Sequence, residues 1–130
     1  MADQQRFHVL IMRLVFFGAV LFAMVMASLP QPPQIPGQPS DKVQHIIAFA
    51  VLTLLARFGY PAATGWRLFV SLAAFGALIE LVQTIPALHR DASVIDWLAD
   101  CGAVAITLSL MAAVGKVAGN RLRDAAARIL

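Results

Sequence analysis

The sequence predicts an all-α, polytopic membrane protein: a single membrane domain over residues 1–130 with four transmembrane helices and both termini in the cytoplasm. Three observations lead there. Sixty per cent of the residues are hydrophobic and 13% are charged, and mean hydropathy is +0.78. That is more apolar surface than a soluble chain of this length can cover, and a bilayer covers it without cost. The apolar residues also gather into four runs, each near the ~20 residues a helix needs to cross the hydrocarbon core. Finally, none of the runs alternates as a strand would, and a helix pairs its own backbone groups, as any segment in lipid must.

The first span covers about 9–29, with Arg13 near its start. A basic start followed by Val25-Met26-Ala27 resembles a cleavable signal. The apolar run is at the long end for a signal, however, and Pro30 and Pro32 crowd the site, so a retained helix is expected. The second span covers about 42–58 and is short, so it stands steeply in the membrane. The third covers about 66–85 and the fourth about 95–118. The connector Leu29 to Ser40 holds five prolines and no charge, which predicts an extended, polyproline-like segment. The stretch 59–65 reads as a tight turn, and 86–93 joins the third and fourth spans. Gly115 and Gly119 have the spacing of a helix-contact motif, so a helix-mediated oligomer or a membrane partner is left open.

Charge sets the orientation. Arg6, Arg13, Arg57, Arg67, Lys116, Arg121, Arg123 and Arg128 fall on one side of this topology, and only Lys42 and Arg90 on the other. Positive residues stay cytoplasmic, which puts both termini and the 59–65 turn inside. The net charge of +3 does not imply nucleic acid, because the bases are scattered over loops and tails with no aromatic-laced basic face. Cys101 is the only cysteine, so no internal disulfide forms. It reads as packing.

The same topology gathers the polar residues. The second span begins outside with Asp41, Lys42 and His45. The third ends outside, with Glu80 roughly 7–8 Å short of its end and Gln83 beyond it. The fourth begins outside with Ser93, Asp96 and Asp100. Spacings of three and four put each set on one helical face. Three polar stripes over the outer third of three helices imply one pocket open to the extracytoplasmic side. A charge at the centre of a span costs roughly 2.5–3.5 kcal/mol on insertion scales, so intramembrane carboxylates turn inward and find partners. Lys42, Arg90 and His45 lie at the right depth.

Each of these residues also has a plain structural role to weigh. Asp41 with Gln44, and Ser93 with Asp96, match capping boxes. Lys42 can snorkel to headgroups, and Arg90 can pair with a lipid phosphate. His45 can be a packed core histidine. Glu80, Gln83 and Asp100 lie too deep to cap, so their structural role is a network that orders the helices.

The ordered set resembles the VanZ-like family of small membrane proteins: D-K-x-x-H at Asp41–His45, E-x-x-Q at Glu80–Gln83, and R-x-x-S-x-x-D at Arg90–Asp96, followed by Gly102. The resemblance covers about 40–114 and leaves out the first span and the basic tail. Family members commonly carry asparagine where this chain has Asp100. The resemblance implies a bacterial cytoplasmic (inner) membrane protein of the cell envelope with a link to teicoplanin resistance, and it implies no particular reaction.

Two functions fit these residues. In the first, an accessory protein binds an anionic lipid headgroup or lipid-linked envelope precursor, with Asp41, Lys42, His45, Glu80, Gln83, Arg90, Ser93, Asp96 and Asp100 lining the site and Lys42 and Arg90 holding the anion. In the second, an intramembrane enzyme works on a lipid-linked phosphate or acyl group, with His45, Glu80 and Asp96 as acid–base candidates. The absence of an activated Ser or Cys argues against acyl transfer. A purely structural helper of a membrane complex is the third reading. No cofactor is expected. No metal is assigned, because no tight ligand spacing occurs and Lys42 and Arg90 would repel a cation.

Overall fold

The computed structural model describes residues 2–30, 37 and 40–127, with backbone alone for 2 and 122–127. The described residues form four α-helices, α1 (Ala2–Ser28), α2 (Asp41–Gly59), α3 (Gly65–Gln83) and α4 (Val94–Ala127), with a 3₁₀ turn at Pro86–Leu88 between α3 and α4. All four helices are long and apolar enough to cross a membrane, as the hydropathy predicts. α1 and α4 overrun their apolar runs, because Gln4, Gln5 and Arg6 at one end and the Ala- and Arg-rich stretch after Gly119 at the other are good helix formers outside the hydrocarbon. Most of the proline connector, the side chain of Arg123 and all of Arg128 lie outside the described residues.

Cross-helix contacts fix an up-down-up-down bundle. The start of α1 meets the end of α2, where Arg13 Nε donates to Gly59 O at 2.8 Å and the Arg13 guanidinium lies 4.8 Å from the centre of the Tyr60 ring. The ends of α1 and α3 meet where Gln83 Nε2 donates to Ala27 O at 3.1 Å. Trp97 Nε1 of α4 donates to Ala73 O of α3 at 2.9 Å. α2 is the hub, packed against both α1 and α4.

The core follows the helical period. His45, Phe49, Leu52, Thr53 and Ala56 form the buried stripe of α2, and Leu68, Leu72, Gly76, Ile79 and Gln83 that of α3. Asp100, Ala103 and Val104 supply α4. α1 contributes a partly buried row through Phe16, Ala19, Val20, Ala23, Met24 and Ala27. Its other face, with Leu14, Phe17, Leu21 and Phe22, is open. In lipid these large exposed side chains are at home, and moving a leucine from lipid to protein gains little. In a bilayer the bundle would therefore rely on close packing and cross-helix hydrogen bonds. Small residues at the contacts, Gly59, Gly76 and Ala56, allow the close approach.

Candidate functional site

The three polar stripes meet at one end of the bundle, where α2 and α4 begin and α3 ends. Local chemistry sets each stripe. Ser40 caps α2, its side chain accepting from the Val43 N–H at 3.4 Å. This corrects the capping role expected of Asp41: the serine one residue earlier takes it, and Asp41 is the first helical residue. Ser93 caps α4 as its sequence position predicts, its Oγ accepting from the Asp96 N–H at 3.2 Å.

Freed from capping, Asp41 accepts from Arg90, whose Nη2 donates to both carboxylate oxygens at 3.0 and 2.9 Å. The loop before Arg90 makes this reach possible. The 3₁₀ turn ends at His89, which adopts the left-handed conformation at φ 50°, a region that histidine tolerates better than bulky or β-branched residues. The chain reverses there and sends Arg90 back over the start of α2. Lys42 Nζ lies 3.9 Å from Asp96 Oδ1, with Lys42 half exposed. These two pairs tie α2 to the α3–α4 loop and to α4 around the rim.

Beneath the rim lies a second layer. His45 Nδ1 is 3.3 Å from Asp100 Oδ2, and Asp100 is fully buried. Glu80 Oε2 accepts from the Ser93 backbone N–H at 2.6 Å, so the carboxylate of α3 bonds to the capping residue of α4. A ligand atom from each of His45, Glu80 and Asp100 lies within 4.8 Å of the other two. Two oxygens in this layer, Glu80 Oε1 and Asp100 Oδ1, are buried with no hydrogen-bond partner. An unpaired buried acceptor costs about 1–3 kcal/mol.

Of the residues expected at the site, Asp41, Lys42, His45, Glu80, Arg90, Ser93, Asp96 and Asp100 come together in these two layers. Gln83 shares the buried face of α3, but its amide joins α1 through Ala27 O. Two residues that sequence reasoning passed over also shape the site. Gly76 is one: a Cβ there would lie 3.2 Å from Asp100 Oδ2 and 3.3 Å from both Phe49 Cζ and Trp97 Cδ1. Trp97 is the other, anchored on Ala73 O beside Asp100. Their spacings were the available signal: Gly76 stands one turn before Glu80, and Trp97 three residues before Asp100, each on its stripe.

The layer can hold a proton between carboxylates, orient the imidazole through Asp100, or accept a cation. No protein-family model matches the chain, and no curated protein or solved structure shows significant similarity to it. The VanZ-like resemblance therefore rests on the motif residues themselves.

Proposed function

We propose that this chain is a VanZ-like protein of the bacterial cytoplasmic membrane whose polar end faces away from the cytoplasm and binds a phosphate-bearing lipid headgroup or lipid-linked envelope precursor. One observation carries the reading: the two Lys or Arg side chains among the described residues at this end, Lys42 and Arg90, stand at its rim, each beside a carboxylate. Arg90 gives Asp41 a single nitrogen. Its remaining guanidinium donors suit the oxygens of a phosphate, which Arg contacts with a planar fork. Lys42 is a mobile point charge beside it. An accessory role in handling envelope precursors, with an effect on teicoplanin sensitivity, follows from the resemblance.

The test is lipid mass spectrometry on protein purified in mild detergent. A phosphate-bearing lipid should co-purify with the native chain and be lost from Lys42→Ala/Arg90→Ala. Co-purification of neutral lipid alone, or equal retention by the double variant, overturns the reading.

A second reading, an intramembrane acid–base enzyme, draws on the carboxylate-oriented imidazole of His45 with Glu80 close by. It is separated by Glu80→Gln: lost cellular function with the lipid still bound favours the enzyme, and lost lipid favours the binding protein.

A further inference from the structure

We propose that His45, Glu80 and Asp100 form a site for one divalent transition cation, zinc or manganese, between α2, α3 and α4. The proposal stands apart from the headgroup reading, since it uses the buried layer and not Lys42 or Arg90.

The geometry comes first. Three ligand-bearing side chains, one from each helix, bring their donor atoms within 4.8 Å of one another. Around an ion bound at about 2.0–2.2 Å the donors would sit closer than that, so binding requires the side chains to draw in.

The second observation is independent of the first. Each carboxylate of the trio keeps one buried oxygen with no partner, Glu80 Oε1 and Asp100 Oδ1, although Asp100 is fully buried. Native structures leave few such atoms, and an ion is one of the recognised causes. Here two orphaned oxygens belong to the same cluster, and one cation satisfies both.

Charge complementarity adds a third argument. Two ionised carboxylates and a neutral imidazole carry a formal charge of −2. The two bases that would repel a cation each stand at the rim beside a carboxylate that offsets their charge, Arg90 with Asp41 and Lys42 toward Asp96. The objection raised by sequence alone, that these bases sit too near, is thus met by how they pair.

The surroundings hold the ligands in place. Glu80 Oε2 is fixed by the Ser93 N–H, Asp100 Oδ2 faces His45 Nδ1, and Gly76 gives Asp100 its room. The Ser93 N–H is an outer contact of the kind that orients a ligand for a metal. One nitrogen and two oxygens select against calcium and magnesium, which take oxygen alone, and suit zinc or manganese.

The experiment uses the full chain, tag-free, in detergent and carrying Cys101→Ser to remove the thiol. The protein is incubated with zinc chloride or manganese chloride and desalted. Bound metal is then measured by mass spectrometry, and thermal unfolding is followed with and without the ion. About one ion per chain is expected, with a Tm that rises with metal and falls again with chelator, because a ligand of the folded state stabilises it. Asp100→Asn, Glu80→Gln and His45→Ala should each weaken binding by more than the roughly 10–100-fold that loss of an outer contact brings. His89→Ala, an exposed histidine outside the trio, should bind as before. Absence of both bound ion and Tm shift for zinc and for manganese overturns the proposal, and so does undiminished binding by the two isosteric carboxamide variants. If His45→Ala does not fold, the metal-dependent Tm of the parent chain and the carboxamide variants still decide. Metal binding by a native chain with which no phosphate-bearing lipid co-purifies would sink the headgroup reading alone.

Discussion

Gly76 governs how closely α3 approaches α4 beside the site. The three atoms that a Cβ would meet, at 3.2–3.3 Å, cannot easily yield. Asp100 faces His45, Phe49 is 1% exposed, and Trp97 is tied to Ala73 O. Gly76→Ala gains about 1 kcal/mol of helix propensity against about 1–3 kcal/mol of overpacking. We expect a lower Tm in detergent, and an unchanged or higher Tm would show that the contact is soft. Asp100→Asn differs in kind. The bases at this end pair with Asp41 and Asp96, so the change strands neither of them. Asparagine keeps a carbonyl to face His45 and removes a buried charge. Its Tm without added metal should stay within the shift that about 1 kcal/mol produces, whereas Asp100→Leu, which deprives His45 of its partner, should cost about 1–3 kcal/mol. Equal losses for the two substitutions would mean that the charge itself, and not the hydrogen bond, holds the helices.

Between helices, a few side-chain-to-backbone hydrogen bonds join the bundle. Trp97 joins α4 to α3, Gln83 joins α3 to α1, and Arg13 joins α1 to the end of α2. Trp97→Phe keeps a large ring but loses the N–H, and should cost about 1 kcal/mol, read as a fall in Tm. Arg13→Ala removes both the bond to Gly59 and the contact with Tyr60. It should loosen α1 specifically, seen as faster proteolysis near residue 30 with α2–α4 intact. Digestion spread evenly over the chain would mean that α1 is not a separately docked element.

Across the whole bundle the charge distribution is lopsided. Among the described residues Arg6, Arg13, Arg57, Arg67, Lys116 and Arg121 lie toward one end, and Lys42 and Arg90 toward the other. A periplasm-active reporter inserted near Ala87 should be active, and one near Ala63 or after Leu130 inactive. Activity at Ala63 would reverse the orientation and turn the polar end toward the cytoplasm. Convergence of the stripes is tested separately: cysteine pairs at 45 and 80, or at 80 and 96, in a Cys101→Ser background should crosslink with short reagents. Failure of every pair in intact protein would mean that the stripes face different neighbours.

Hydropathy and the 3.6-residue period are local properties, and they were enough to read the number of helices, their approximate ends and the face each polar residue occupies. His45, Glu80 and Asp100 were recognisable as buried polar groups at a common depth for that reason. Which partner each one meets was not legible. A period gives the face of a helix but not the azimuth at which its neighbours stand, and ligands drawn singly from three helices leave no spacing motif in the chain. Asp41 looked like a cap until Ser40 took that place and Arg90 came back over the loop through the left-handed turn at His89. That Lys42 and Arg90 stand beside Asp96 and Asp41 at the rim was not legible either. Gly76 has no chemistry of its own to announce, and matters only because Asp100, Phe49 and Trp97 crowd the space beside it. The set of polar residues and their depth belong to the sequence. Their pairing, and the two oxygens left without partners, come from the packing of one helix on another.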